Sequence, residues 1–249
     1  MLYITRQVIM NYKTYGYDQL FIVGPQGMGK STYAMLVLYE IYNDWDAVLA
    51  HVNFDPAPAF ARFKAAIKTR KRVPVEVFDD AGLHFSKYLI WSGEEGVKRT
   101  MLVSWLWNVI RSATAFCIFT SPSDDILRDL RQKSWVRAQP YAPHGRAKPY
   151  RVMRFYRLTW IAVGPKRYKR IEEEDAYRLD WIPSDVRAEY DDKRAAAIEQ
   201  ALEELDKYVP YGELYEREKE RLEKELEYLK MYWLRPKKER KVLGEVEAR

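Results

Sequence analysis

Between Gly24 and Ser31 the chain reads Gly-Pro-Gln-Gly-Met-Gly-Lys-Ser, and this octet restricts the fold more than any other stretch. An apolar run, Leu20 to Val23, precedes it, and a second, Tyr33 to Tyr39, follows Thr32. Strand, glycine-rich loop and helix in that order are the context in which the G-x-x-x-x-G-K-[ST] pattern binds phosphate. The glycines let the backbone wrap an anion closely, so consecutive N–H groups and a helix N-terminus point at it. Gly24, Pro25, Gln26, Gly27, Met28, Gly29, Lys30, Ser31 and Thr32 are expected to cradle the phosphates of ATP. Lys30 reaches the β- and γ-phosphates, and the Ser31 hydroxyl ligates Mg²⁺.

A nucleotide-hydrolysing site needs a second part, a buried strand that ends in carboxylates beside the cradle. Val75-Glu76-Val77-Phe78-Asp79-Asp80 has that form. Asp79 is expected to hold Mg²⁺ through water, and Asp80 to orient or deprotonate the attacking water. Glu76 lies inside the strand and is set aside as a ligand. The apolar run Ala115 to Phe119 ends in Thr120-Ser121-Pro122-Ser123. Thr120 or Ser121 is the candidate sensor of the γ-phosphate, with capping of a helix at Asp124 to Leu127 as the alternative. Arg128, Arg131 and Arg137 are candidates for an arginine acting in trans in an oligomer.

The 249 residues suffice for one sizeable α/β domain with an appendage. A net charge of +6 favours polyanionic partners without proving one. The single cysteine, Cys117, excludes an internal disulfide and fits a reducing compartment. His51, His84 and His144 lack metal-ligand spacing, so no zinc site is expected. The N-terminus has no signal-peptide pattern, and no apolar stretch nears the ~20 residues that span a bilayer. These features predict a soluble cytoplasmic protein.

Helical spacing is read over residues 4–15, from the cradle to about Tyr42, and over most of 45–72, with a break at Asp55 to Pro58. Lys68 to Arg72 either serve a helix C-terminus or meet phosphate. Pro74 to Phe78 and Ala115 to Thr120 read as buried strands, and Leu102 to Ile110 as an apolar helix between them. The fold class is therefore α/β, a P-loop NTPase with a mostly parallel sheet flanked by helices. A core of residues 1–172 includes a basic β segment at 134–171; residues 173–249 form a helical appendage. In that appendage Ser184 is a candidate N-cap, and Val186, Tyr190, Ile198, Leu202 and Leu205 form an apolar stripe. A charged helix follows from Glu213, whose Leu222, Leu226 and Leu229 pack on the preceding helix or on a partner subunit.

Between Ala138 and Ile171 there is no acidic residue. Arg146, Lys148, Arg151, Arg154, Arg157, Lys166 and Arg167 are interleaved there with Tyr141, Tyr150, Phe155, Tyr156 and Trp160. Arginines neutralise phosphates and exposed aromatics stack on bases, so DNA is the expected partner, held mainly by its backbone. The alternative is a hairpin whose aromatics pack on the core while its arginines lie along the surface.

The segments GPQGMGKSTYA, VPVEVFDDAGLHFSKYLIW and WNVIRSATAFCIFTSPSDDI, with the basic stretch after them, resemble the P-loop ATPases of archaeal spindle-shaped viruses (fuselloviruses) and related plasmids. These are described as similar to the bacterial replication initiator DnaA within the AAA+ superfamily. The resemblance spans about residues 5–205 and implies an ATPase acting on DNA in replication, working as a homo-oligomer. It gives Lys30, Ser31, Asp79 and Asp80 the nucleotide and magnesium roles and Thr120 or Ser121 the sensor role. Asp80 stands where many AAA+ proteins carry glutamate. No sensor arginine in a helical lid, and no helix-turn-helix, is legible after residue 171. A DNA-translocating or genome-packaging motor of HerA/FtsK type is the alternative function.

Overall fold

Leu20, Phe21 and Ile22 are buried on alternating sides of their strand, so both faces of that strand must be covered. The computed structural model achieves this with a seven-stranded sheet flanked by helices. It describes residues 1–81, 93–123, 136–159 and 167–206, and beyond these 215, 218, 219 and 221–227. The Lys87 to Trp91 segment, the cap at Asp124, Arg128, Arg131, Trp160, Lys166 and Leu229 lie outside the described residues.

The order of elements is α1 (Tyr3–Lys13), β1 (Asp18–Val23), α2 (Lys30–Tyr42), α3 (Trp45–His51), β2 (Val52–Asn53) and α4 (Ala57–Thr69). Then come β3 (Val73–Phe78), α5 (Gly93–Val109), β4 (Thr114–Ser121), β5 (Val136–Tyr141), β6 (Tyr150–Thr159), β7 (Arg167–Arg178) and α6 (Ser184–Asp206). Across the sheet the strands run β2-β3-β4-β1-β5-β6-β7. The first five are parallel, and β6 and β7 add on as antiparallel strands. β1 thus lies between β4 and β5, and the chain leaves β1 and β4 toward opposite edges. Their carboxyl ends border the crevice where open α/β sheets bind ligands.

Apolar packing fixes both faces. On one side Phe63, Phe78, Phe119 and Phe21 bury with Trp107 of α5; Phe78 and Phe119 stack at 5.1 Å, and Phe21 and Phe119 at 4.8 Å. On the other, Tyr3 of α1 and Tyr33 of α2 meet Phe155 of β6, with ring centroids 4.8 and 6.1 Å away. Tyr33 also meets Tyr177 of β7 at 5.4 Å and donates to Asp175 at 2.5 Å. Asp175 further accepts the backbone N–H of Tyr3, so α1, α2 and β7 converge on one buried carboxylate.

Three elements differ from the sequence reading. Within 45–72 the helices α3 and α4 are separated by the two-residue strand β2, whose Asn53 carbonyl accepts the N–H of Asp79 at 2.9 Å. β7 does not stop near Ile171 but continues through the acidic run Glu172 to Asp175, because Arg154 and Met153 of β6 pair in register with Glu174 and Asp175. Of the stripe proposed for α6, Val186 and Tyr190 are buried, whereas Ile198 and Leu202 are about half exposed.

Two compact units divide the chain, Met1–Arg194 and Ala195–Arg249. The first includes all seven strands and the start of α6. In the second, residues 221–227 are helical, an Arg221–Glu225 ion pair closes at 3.0 Å, and Leu222 and Leu226 are exposed. No helix among the described residues is long and apolar enough to cross a membrane.

Candidate functional site

The loop between β1 and α2 borders a cleft of about 350 Å³ lined by Gln26, Gly27, Gly29, Lys30, Ser31, Thr32, Asp80, Leu179, Arg187, Tyr190, Asp191 and Arg194. Gly29 sits at φ 89°, a left-handed conformation, immediately before the first turn of α2. A Cβ there would lie 2.5 Å from Leu179 Cδ2 and 3.2 Å from the Tyr177 hydroxyl, so only glycine fits. The Tyr177 hydroxyl donates to the Gly29 carbonyl at 3.0 Å, which ties β7 to the end of the loop.

Lys30 folds back over its own loop. Its amine donates to the carbonyls of Gly24 at 2.8 Å and Pro25 at 3.1 Å. Burial lowers its pKa, while Asp80 and Asp79 work in the opposite direction. A phosphate in the loop would replace two neutral carbonyls with an anion and favour the charged amine. Met28 is buried and is not among the residues that line the cleft.

Asp79 leaves the end of β3 almost fully buried and takes three hydroxyl donors. Ser31 donates to its Oδ1 at 3.0 Å, Thr120 donates to the same oxygen, and Tyr190 donates to Oδ2. Burial and the nearby Asp79 carboxylate hold the Tyr190 hydroxyl protonated, far above the usual tyrosine range. Asp80 follows at φ 48°, a left-handed conformation that aspartate adopts more readily than most residues. Its N–H donates to Thr120 Oγ1 at 3.1 Å, and its carboxylate accepts from Arg194 Nη2 at 2.8 Å. Thr120 therefore touches both acids. Ser121 does not share that position: its Oγ accepts the N–H of Ser123 at 3.3 Å and serves the turn. Glu76 faces a separate cluster, accepting from Arg62 at 2.6 Å and Asn53 at 2.8 Å and lying 2.9 Å from His51 Nδ1.

Helix α6 supplies side chains that sequence reading missed. Arg187, Tyr190, Asp191 and Arg194 share one helical face at the i, i+3, i+4, i+7 spacing and turn toward the cleft. Arg187 Nη2 donates to Thr32 Oγ1 at 2.9 Å, and the neighbouring Lys193 amine anchors the helix to the Leu49 carbonyl at 2.6 Å. The spacing was legible, but it was read for apolar content alone, and Tyr190 was placed in a core stripe. No sensor arginine in a helical lid was legible after residue 171; Arg187 and Arg194 of α6 line the cleft.

The basic segment is less open than its composition implied. Arg146 and Lys148 are exposed on the β5–β6 loop, and Arg157 is exposed on β6 with Nη2 3.5 Å from the Tyr3 hydroxyl. Arg151 is 1% exposed and has to be removed from the candidate DNA contacts. Its guanidinium donates to the carbonyls of Tyr150 at 2.8 Å, Arg146 at 3.0 Å and Lys148, so it fastens the loop from inside. Arg154 lies 4.1 Å over the Tyr141 ring and pairs with Glu174 at 3.0 Å, which neutralises it. For Arg167 only the backbone is described, paired with Thr159.

Among the described residues no group of three or more His, Cys, Asp or Glu side chains could cage a metal. Ser31 beside Asp79 suits Mg²⁺ instead, which takes few protein ligands and fills its shell with phosphate oxygens and water. No protein-family model matches the chain. It is similar to uncharacterized protein B-251 of Sulfolobus spindle-shape virus 1, at 29% identity over 224 residues, covering 84% of this chain and 86% of the relative. It is also similar to uncharacterized protein ORF286 of Acidianus two-tailed virus, at 34% identity over 125 residues, covering 50% and 43%. Both relatives come from archaeal viruses. Among solved structures, the N-terminal domain of zonular occludens toxin from Neisseria meningitidis aligns with a TM-score of 0.39 and 11% identity, over 58% of this chain and 86% of that one.

Proposed function

We propose that the chain is a P-loop ATPase that binds ATP with Mg²⁺ between β1 and α2 and hydrolyses it. One observation carries the reading: Ser31 Oγ lies 3.0 Å from Asp79 Oδ1, directly beside the lysine of the loop. Two residues 48 positions apart in sequence, each expected to share a magnesium ion, lie within hydrogen-bond distance of each other. The strand order supports it too, since β4 brings Thr120 between the two halves of the site.

In this mechanism the loop N–H groups hold the β-phosphate, and Lys30 leaves its carbonyl partners for the β- and γ-phosphate oxygens. Ser31 and Asp79 would hold the Mg²⁺, which would supply charge neutralisation on the phosphates. Asp80 accepts the proton of the attacking water, positioned by its Thr120 and Arg194 contacts. The aspartate side chain is one methylene shorter than glutamate, so turnover is expected to be slow.

The polymer is DNA in this reading, contacted by Arg146, Lys148, Arg157, Lys166 and Arg167 through the phosphate backbone. A replication-initiator or helicase-loader switch of a virus or plasmid, acting as a homo-oligomer, fits the modest catalytic equipment. A DNA-translocating motor is the second reading. It is favoured by the Tyr177–Gly29 contact, through which movement of the β6–β7 pair would reach the nucleotide loop. ATPase measurement with and without DNA, coupled to mass determination in ATP and ADP, tests both. Slow hydrolysis that changes assembly state supports the switch; strong DNA stimulation of a closed ring supports the motor. Absence of Lys30-dependent ATP turnover rejects both.

A further inference from the structure

At the margin of the sheet where β1, β3 and β4 begin, we infer a second binding face, for the phosphate backbone of single-stranded nucleic acid. Lys68, Arg70 and Lys71 form it with Lys13, Arg111 and the ring of Tyr15. This margin lies a strand length, about 20 Å, from Gly24, at the opposite end of β1. The β5–β6 loop stands at the Gly24 end, where a Cβ on Gly24 would meet Pro140 at 3.2 Å. The face therefore shares with the proposed function the class of polymer and nothing of the nucleotide cleft.

Arg72 gathers the pieces. It is buried and donates from Nη1 to the Asn11 carbonyl at 3.3 Å, and from Nη2 to the carbonyls of Gly16 at 2.5 Å and Thr114 at 2.8 Å. Its guanidinium carbon lies 5.1 Å from the centre of the Tyr15 ring. One side chain thus pins the end of α1, the turn before β1 and the start of β4 beside the turn between α4 and β3. Lys13, Lys68, Arg70, Lys71 and Arg111 are all exposed there, and among the described residues none is paired with a carboxylate. The three stretches that meet at this margin, 1–17, 56–75 and 96–123, contain no acidic residue. Glu40, which lines a hollow with Lys13, is engaged by the Leu2 N–H at 2.8 Å. Arg157 of β6 stands near Asp18, on the other side of β1, and adds its charge to the same end.

The backbone gives an independent reason. Tyr15 and Arg70 have φ of 56° and 55°, the left-handed region in which a chain leaving a helix favours glycine. Bulky side chains at both positions lower stability, as does gathering cations without counter-charges. The Arg70 side chain has no partner among the described residues. Tyr15 is 67% exposed, although Arg72 lies against its ring. A polyanion offsets the repulsion, and an exposed ring among cations stacks on a base while the cations hold the adjoining phosphates. In a duplex the bases are already stacked on one another, so the single strand is the form that uses the ring.

Fluorescence anisotropy of a labelled oligothymidylate with the full chain, across a salt series, is the experiment. The triple change Lys68→Gln, Arg70→Gly and Lys71→Gln suits it, because glycine relieves the left-handed backbone at position 70. Affinity is expected to fall about tenfold to a hundredfold, and the salt slope of log K by about 2, without a lower melting temperature. Tyr15→Asn, which the left-handed region tolerates, should weaken binding about fivefold or more and leave the slope unchanged. Parent-like affinity and slope in the triple variant overturn the inference. If Arg146→Ala with Lys148→Ala still lowers the slope in that case, DNA binding through the β5–β6 loop stands. Loss of binding to phosphatidylserine vesicles, with oligonucleotide binding kept, assigns the face to a lipid surface and overturns it as well. A parent chain without affinity for the oligonucleotide removes both this face and the DNA part of the proposed function, and leaves the ATPase reading to the Lys30→Ala test. Should the triple variant melt early, the slope of Lys68→Gln alone decides, with a fall of about 0.7 expected and no change overturning the inference.

Discussion

The hydroxyl of Tyr177, in the last strand of the sheet, donates to the carbonyl of Gly29, 148 residues earlier in the chain, at 3.0 Å. Tyr177 is fully buried and Gly29 partly so, and the bond fixes the final peptide of the phosphate loop against β7. Burial raises the Tyr177 pKa far enough that the hydroxyl remains a donor at any working pH. Tyr177→Phe is expected to weaken ATP binding about threefold to tenfold while leaving the fold intact. Gly29→Ala is expected to be worse, costing roughly 1–2 kcal/mol for the left-handed backbone alone and meeting Leu179 as well. Thermal melting beside ATP titration separates the two effects, and parent-like binding by Gly29→Ala would show that the loop is not held as described.

Lys30→Ala should abolish ATP binding or turnover. Asp80→Asn should keep ATP binding and stop hydrolysis, because the amide holds its position near Arg194 and Thr120 but cannot take a proton. Phosphate release under saturating ATP is the measurement. Turnover at the parent rate by Asp80→Asn would remove Asp80 as the base.

The arginines of β6 and its preceding loop are expected to split into two classes. Arg151→Met leaves three carbonyls without their donor and should cost roughly 2–3 kcal/mol of stability, read from urea unfolding. The double change Arg146→Ala with Lys148→Ala should leave stability within about 0.5 kcal/mol. It should instead weaken DNA binding and lower the salt slope of log K by about 2. A salt slope identical to the parent's would mean that this loop does not meet DNA.

Burial lifts the Asp18 carboxyl to about 6, despite the Gln19 N–H it accepts at 2.7 Å and the nearby Arg157. Its usual value is about 3.9. Between those values the folded chain holds a proton that the unfolded chain has released. Stability therefore falls as pH rises from about 4 to about 6, and the full penalty persists, without further change, above that window. Asp18→Asn should remove the penalty, worth about 1–2 kcal/mol after solvent screening, so its advantage over the parent appears on raising the pH from 4 to 7. An advantage that is the same at both pH values would show that the carboxyl titrates normally.

The glycine loop, the paired acids and Thr120 were legible because each is a local pattern attached to a strand end. The role of α6 was not. Hydrophobic periodicity finds the buried side of a helix but not what it is buried against, so Tyr190 passed for core, and Arg187 and Arg194 were not singled out. The basic segment misled for a related reason. Alternation along β6 correctly groups Arg151 with Met153 and Phe155, yet it does not say which side faces inward. Arg154 looked free because its partner, Glu174, lies on the next strand, beyond the window in which the charge was counted.

The two margins of the sheet are unequal, two residues in β2 against twelve in β7. A long outer strand offers its backbone to any extended chain that drifts past, including another copy of the same protein. Here the outer strand carries four successive acids, Glu172 to Asp175, and α1 clasps it through the Arg6–Glu173 ion pair and the Tyr3 amide on Asp175. With these acids tied to α1 and to Arg154, that margin is held by helix and cross-strand contacts and is not a free ribbon open to an extended neighbour.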